Sequence, residues 1–269
     1  LADFTNRSGK VKAGEYILDR TMSASEILDL LTQPSPVRHT ARVTIREGMK
    51  IEDIAQTLVD KGIVDDKNEF ILACNDLSKY QDIGFISEIT NRTGVRYALE
   101  GFLFPDTYDF YLNSSNEEVI RRMLTRFTQI YEPFIERAKE MNMTINEVIS
   151  LASIIQSEGL AKDFASVSAV FHNRLGADMT ISSDVCIQYA INQKKLVLST
   201  EELNVNSPYN LHVNKGLTPG PICSPGKQAI AAALNPSADI ISGKYYFFTL
   251  TDPATGELAF SKTYEEHKQ

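Results

Sequence analysis

Tryptophan is absent from this 269-residue chain, and its three cysteines and four histidines are widely scattered. The cysteines Cys74, Cys186 and Cys223 lack the paired spacing of zinc or redox motifs, so no such site is expected. The chain also lacks a Walker loop, a dinucleotide-binding fingerprint and a His-Glu-x-x-His sequence. No metal or organic cofactor is therefore expected.

Positive charge is also in short supply, with 27 lysines and arginines against 35 acidic residues and a net charge of −8. This balance gives no electrostatic reason to expect binding to nucleic acid. No apolar run is long enough to cross a membrane. Because the chain begins with Leu1 rather than Met, we expect an N-terminal segment ahead of it. The length suggests two domains.

The stretch from Thr144 to Gly159 predicts one helix with both of its ends marked. Thr144 and Glu147 have the spacing of a capping box, and Gly159 is expected to end the helix in the left-handed conformation. Apolar residues repeat at helical spacing between these ends, which indicates a helix of the core. They are Ile145, Val148, Ile149, Ala152 and Ile155.

Glu158 is the exception to this apolar pattern. It lies in the last turn, on the same stripe as Leu151, Ile154 and Ile155. Burial and the negative end of the helix dipole would both raise the pKa of a carboxyl group there, from about 4.3 toward roughly 6. Such a group can hold a proton near neutral pH and act as a general acid. On the pattern alone, a helix-end glutamate that points into water is the commoner alternative.

Residues 1–112 and 113–269 differ in their predicted organisation. Within the first part, residues of about 41–112 predict the order strand, helix, helix, strand, which resembles a LysM-type carbohydrate-binding module. The second part predicts several helices and then an apolar hairpin at 245–261. The expected fold class is α+β, with a small LysM-like N-terminal domain and a second domain of mixed helices and antiparallel sheet.

Three segments of the second part are rich in proline, glycine and small polar residues: 182–184, 206–210 and 216–226. Loops of this composition hold a fixed shape and often line sites. We therefore expect Glu158 to open into a cleft whose walls are the segments 182–189 and 206–222.

Short motifs occur in a fixed order between residues 100 and 248, and together they resemble the YceG-like endolytic murein transglycosylases. The segment 151–158 is similar to the catalytic helix of that family. Three places depart from the family pattern and bear on substrate contact: Val185-Cys186 replaces Pro-Thr, Leu211-His212 replaces Thr-Tyr, and Thr218 replaces a proline. The other motifs are Glu100–Tyr108, Val170–Leu175, Ser183-Asp184 with Tyr189, Ser207–Asn210, Pro219–Ile222, Asn235-Pro236 and Tyr245–Phe248.

The resemblance implies cleavage of the β-1,4 bond between N-acetylmuramic acid and N-acetylglucosamine inside peptidoglycan strands, leaving a 1,6-anhydro end. Glu158 would serve as the single general acid and base while the sugar's own 6-hydroxyl attacks. A retaining hydrolase would need a second carboxylate roughly 5 Å away, for which Asp184 is the candidate. The ordinary role of Asp184 would be hydrogen bonding to backbone in a turn. A muramidase-type hydrolase and a non-enzymatic peptidoglycan-binding scaffold therefore stay open as alternatives.

The resemblance further implies where the protein acts and which other residues take part. A single-pass membrane anchor would precede Leu1, the catalytic part (113–269) would lie outside the cytoplasm, and cell-wall synthases of elongation or division would be partners. Asn173 can equally serve a structural role. The substrate-binding candidates are Ser183, Asp184, Tyr189, Tyr209, Asn210 and Asn173.

Overall fold

The computed structural model describes residues 10–12, 16–33, 39–90, 92–195, 197–252 and 254–268. The described residues up to 112 form two strands and four α-helices, with a 3-10 turn at Leu77–Tyr80. In chain order they are α1 (Ala24–Thr32), β1 (Thr40–Thr44), α2 (Ile51–Asp60), α3 (Lys67–Asn75), α4 (Ile86–Ile89) and β2 (Thr107–Tyr111).

The strands β1 and β2 form an antiparallel pair that closes this unit. Thr40 lies opposite Tyr111, and Thr44 lies opposite Thr107. Alternate residues of the pair, Val43 and Phe110 among them, are buried, because successive side chains of a strand point to opposite faces. The predicted order of strand, helix, helix and strand is present, with α4 as an additional short helix. A likeness to LysM modules beyond this order stays a prediction.

The described residues after 112 form nine further α-helices and a β-hairpin, and 3-10 turns lie at Glu132–Phe134 and Ala161–Asp163. The protein is therefore α+β, as the sequence predicts, with antiparallel pairing in both of its two-stranded sheets. The elements are α5 (Asn116–Tyr131), α6 (Ile135–Glu140), α7 (Ile145–Glu158), α8 (Phe164–Gly176), α9 (Asp184–Ala190), α10 (Thr200–Leu203), α11 (Lys227–Leu234), α12 (Ala238–Gly243), β3 (Phe247–Asp252), β4 (Glu257–Ser261) and α13 (Tyr264–His267).

Helix α7 is the central helix of the second part. Its start is fixed by the predicted capping box, in which Thr144 Oγ1 accepts from the Glu147 amide and the Glu147 carboxylate accepts from the Thr144 amide. Nine of its residues are buried, and it packs between α8 and α11. Each fully buried Val, Leu or Ile side chain contributes roughly 1.5–3 kcal/mol to folding, so α7 is held rigidly by its surroundings.

One hydrophobic core extends across the predicted boundary at 112/113. The rings of Phe85, Phe102 and Phe127 pack against one another with centroids 4.9–5.4 Å apart. Phe127 belongs to α5, whereas the other two precede β2. The division into domains 1–112 and 113–269 stays a prediction, and the two parts share buried side chains.

The end of α7 differs from the sequence prediction. Gly159 has φ −145° and ψ 176°, so it is extended, and the left-handed conformation expected for it is wrong. The chain continues directly into the 3-10 turn Ala161–Asp163 and then α8, and this route needs an extended link rather than a reversal. Among the described residues, no helix combines the length and the apolar character needed to cross a membrane.

Candidate active site

Glu158 is the last residue of α7 and lines a cavity of about 500 Å³. Both segments predicted as walls contribute to this cavity: Ser182 and Asp184 come from one, and His212 comes from the other. The side chain is half-buried, and the last fully buried residue of α7 is Ile155, three positions before it. A carboxyl group at the end of a buried helix therefore faces an open space, as the sequence predicts.

Ser183 forms a direct hydrogen bond to this carboxyl group. It occupies the position before α9, where a serine usually caps the helix, but its side chain forms no capping bond. Instead its hydroxyl donates to Glu158 Oε1 over 2.5 Å. Ser183 is buried, so its hydroxyl is held in place and fixes the orientation of the carboxyl group.

The pKa of Glu158 is raised above its ordinary value. The main cause is burial, which disfavours the charged form; the hydrogen bond from Ser183 acts in the opposite direction, and the negative charge of Asp184 raises the pKa further. A larger fraction of Glu158 is therefore protonated near neutral pH than of a glutamate in water. This is the property required of a general acid.

Asp184 pairs with a histidine. His212 Nε2 lies 2.9 Å from Asp184 Oδ1, and both side chains line the same cavity as Glu158. His212 is the hydrogen-bond partner found for the Asp184 carboxylate in the described residues, and the expected bond to backbone in a turn is not found among them. His212 belongs to one of the three departures from the family pattern named above. Asp184 immediately precedes another, Val185-Cys186.

The cavity has a further wall that the sequence analysis did not identify. The Arg174 guanidinium lies 4.9 Å from the centre of the Phe247 ring, and the His267 ring stacks on the same phenylalanine at 5.3 Å. Arg174 Nη1 donates to the Ile181 carbonyl over 2.6 Å, and burial lowers the pKa of Arg174. The motif at 245–248 belongs to this wall, but its apolar pattern predicts a hairpin strand and not a position beside Glu158. Tyr246, Phe248 and Tyr264 complete the aromatic surface.

Three substrate-binding candidates are buried and engaged with other parts of the protein. The Tyr189 hydroxyl donates to Glu100 Oε2 over 3.1 Å. The Tyr209 hydroxyl accepts from the Arg96 amide over 3.2 Å, and the Asn210 amide donates to two backbone carbonyls of its own loop. Sugar contacts by these side chains stay a prediction, and their burial favours a supporting role.

Asn173 connects α8 to the entrance of the hairpin. Its Nδ2 donates to the Ile240 carbonyl over 3.0 Å and to the Tyr245 carbonyl over 2.9 Å. The second bond fixes the backbone immediately before the aromatic wall. The geometry therefore favours the structural role over direct contact with a ligand.

Neither a metal site nor a disulfide is found in the described residues. No group of three or more His, Cys, Asp or Glu side chains is arranged to hold a metal ion within the part of the chain that the structure describes. Cys74, Cys186 and Cys223 are buried free thiols. The chemistry available in the cavity is that of carboxyl, hydroxyl, imidazole and guanidinium groups.

The chain is similar in sequence to proteins that carry one shared name. A relative named endolytic murein transglycosylase from Streptococcus pneumoniae serotype 2 (strain D39 / NCTC 7466) is 33% identical over 281 residues, covering 96% of this chain and 49% of the relative. One of the same name from Bacillus subtilis (strain 168) is 29% identical over 271 residues, covering 96% of this chain and 71% of the relative. The chain thus spans about half the length of the streptococcal relative.

The fold is also found in a solved structure. A YceG-like protein from Listeria monocytogenes matches with a TM-score of 0.77 at 28% identity, covering 99% of this chain and 87% of that chain. The family model described as the YceG-like family matches residues 1–269. Because the family model matches the whole chain, this protein belongs to the YceG-like family.

Proposed function

We propose that this chain is an endolytic peptidoglycan lytic transglycosylase, which cleaves the bond between N-acetylmuramic acid and N-acetylglucosamine within glycan strands. The names of its relatives support this activity. The observation that carries the proposal is Glu158, a carboxyl group of raised pKa that is held by Ser183 at the edge of a cavity.

The mechanism assigns two proton transfers to Glu158. Its protonated form donates to the leaving glycosidic oxygen, and positive charge develops at C1 of the muramic acid. The 6-hydroxyl of the same sugar then attacks C1, and the ionised Glu158 accepts the hydroxyl proton. The product is a 1,6-anhydro ring, no water is consumed, and Glu158 ends in its starting state. One carboxyl group therefore suffices.

Asp184 has a different role in this proposal. Its hydrogen bond with His212 occupies one carboxylate oxygen, and its negative charge adds to the rise in the pKa of Glu158 that burial mainly causes. In this role Asp184 orients the His212 ring and favours the protonated form of Glu158. In the alternative muramidase-type hydrolase, Asp184 would be the nucleophile, and in a non-enzymatic scaffold Glu158 would only support the fold.

The surrounding context belongs to the same proposal. Residues 113–269 carry the chemistry, and the LysM-like part at about 41–112 holds glycan, for which the order of its elements is the support. A wall substrate implies that the catalytic part lies outside the cytoplasm. A single-pass membrane anchor ahead of Leu1 and contacts with wall synthases complete the proposed setting.

The test is digestion of purified peptidoglycan followed by mass spectrometry of the products. The wild-type protein is expected to release 1,6-anhydro ends. Glu158→Gln keeps the size of the side chain but delivers no proton, so turnover should fall by about 10²–10⁴-fold or more, since one group serves as both acid and base. Glu132→Gln, which removes an exposed carboxyl group just after α5, is the control and should retain full activity.

Each other result identifies a different function. Reducing ends from the wild type, together with inactive Glu158→Gln and Asp184→Asn variants, would indicate the hydrolase. Binding without any cleavage would indicate the scaffold. A fully active Glu158→Gln protein would reject the assignment of the acid. In the transglycosylase, Asp184→Asn should still form anhydro ends, because the attacking group belongs to the substrate.

A further inference from the structure

A second cavity, of about 640 Å³, lies between the two parts of the chain. One side is the segment from Glu47 to Asp53, which joins β1 to α2. The other side is formed by the end of α7, the outer face of α9 and the residues that follow α9 up to Lys194. Its volume is within the range of about 300–1,000 Å³ that is typical of small-molecule sites.

This cavity adjoins the one that contains Glu158. Ser157 lines the second cavity and Glu158 lines the first. In the same way Val185 lines the second and Asp184 lines the first. The end of α7 and the start of α9 therefore separate the two cavities. If the bond to be cleaved in a linear polymer lies at Glu158, one cavity can hold the units before that bond and the other can hold the units after it.

The lining of the second cavity suits a neutral, hydroxyl-rich ligand. Gln188, Asn192 and Gln193 supply amides, which both donate and accept hydrogen bonds. The side chains of Gln188 and Gln193 form no hydrogen bond with the described residues, so both are available to a ligand. The charged residues are of both signs, three acidic (Glu47, Glu52, Asp53) and two basic (Lys50, Lys194), so no strong preference for an ion is expected.

The walls of the cavity are tied together, so its shape exists before a ligand arrives. Lys50 Nζ lies 5.4 Å from the centre of the Tyr189 ring. The Gly226 amide donates to Gln156 Oε1 over 2.9 Å, which fixes that side chain at the end of α7. A Cβ atom on Gly226 would lie 2.0 Å from the Glu47 side chain, so Gly226 is in direct contact with Glu47. Through these two contacts Gly226 links Gln156 on one side of the cavity to Glu47 on the other. A preformed site loses less conformational entropy on binding.

We propose that the second cavity binds N-acetylhexosamine units of the glycan strand, on the opposite side of the cleaved bond from the aromatic cavity. The inference rests on the proposed function and adds a reason for endolytic action. When each cavity holds more than one sugar unit, a bond next to a strand end leaves one cavity partly empty. Binding in this cavity therefore favours cleavage inside strands over cleavage at their ends.

The test removes the two free amides together, as Gln188→Ala with Gln193→Ala. Gln188 lies in α9, where alanine is well tolerated, and neither side chain has a partner to lose. A matched control is Gln228→Ala on α11, an exposed amide outside both cavities. Long uncrosslinked glycan strands are the substrate, and the lengths of the anhydro products are measured by liquid chromatography with mass spectrometry.

We expect the double variant to lose about tenfold or more in kcat/KM on long strands, since two hydrogen bonds to the glycan are removed. The loss should appear mainly in KM, and products should shift from mid-strand fragments toward terminal ones. Anhydro ends should still form. Wild-type kinetics and an unchanged product distribution in the double variant would overturn the inference.

Strand binding by the Glu158→Gln protein separates this inference from the proposed function. Its affinity for long strands, measured by calorimetry, is expected to fall about tenfold when Gln188→Ala and Gln193→Ala are added. This comparison needs no turnover, so it holds even if the wild type forms no anhydro ends. Equal affinity with and without the two changes would show that the cavity does not bind the strand.

Discussion

Glu100 offers a quantitative test of how the N-terminal part is joined to the site. Its side chain is fully buried. Oε1 accepts from the amide of Ile51, the first residue of α2, over 2.9 Å, and Oε2 accepts from the Tyr189 hydroxyl of α9 over 3.1 Å. One carboxyl group therefore connects α2 to α9. Ser183, which donates to Glu158, stands immediately before α9. The perturbation is Glu100→Gln, which keeps the shape and removes the titration.

Burial raises the pKa of Glu100 from 4.5 to about 7, despite the hydrogen bonds from Ile51 and Tyr189 and the charge of Lys50, which lower it. At 1.36 kcal/mol per pH unit, this difference corresponds to about 3 kcal/mol. Between these two pKa values the folded protein holds a proton that the unfolded chain has lost. The free energy of unfolding therefore falls as pH rises through this window.

The assay is urea unfolding of the wild type and of Glu100→Gln at a series of pH values from about 4 to 8. Other titrating groups are common to both proteins, so their effects cancel in the difference. The stability of Glu100→Gln relative to the wild type should rise by about 3 kcal/mol across the series. Glu69→Gln, which removes an exposed carboxyl group, controls for the loss of charge. Parallel curves for Glu100→Gln and the wild type would refute the reasoning.

Two further predictions concern the site and the backbone. Ser183→Ala removes the hydrogen bond that lowers the pKa of Glu158, so the fall of activity at high pH should move to higher pH; a pH–rate profile with an unchanged limb would contradict this. Gly101→Ala should destabilise the fold by about 3 kcal/mol, because φ is +83° and a Cβ would lie 2.4 Å from Pro221. Urea unfolding measures this, with Gly84→Ala, which has open space around it, as the control. A stability equal to that of the control would contradict the prediction.

The features that the sequence predicts correctly are local ones. The capping box at Thr144 and the apolar repeat after it determine where α7 starts and which side is buried, and both are encoded within fifteen residues. Glu158 follows from the same pattern, since it is the one charged group on that stripe near the helix end. The hairpin β3–β4 follows from its apolar pattern and turn residues in the same way. The pairing of β1 with β2 is not local, since Thr44 lies opposite Thr107.

The contacts that the sequence could not supply join residues far apart in the chain. Asp184 meets His212 across 28 positions, and nothing in either motif specifies that distance. Arg174 meets Phe247 at the start of the hairpin, next to the point where Asn173 donates to the Tyr245 carbonyl. A polar side chain in a loop motif can face a ligand or serve a buried network, and the pattern of residues is the same in both cases. Tyr189 illustrates this, since its hydroxyl bonds to Glu100.

The same contacts indicate how the two parts of the chain depend on each other. Arg96 donates through its guanidinium to the carbonyls of Tyr189 and Ala190 at the end of α9, over 2.5 and 2.7 Å. A cation at this end stabilises the helix through its dipole. Glu100 fixes the same turn from the core. Since Ser183 stands immediately before α9, the segment at 96–100 contributes to the orientation of Glu158 without contacting it. In the proposed division the reacting carboxyl group lies in residues 113–269. Its orientation depends on contacts from both parts of the chain.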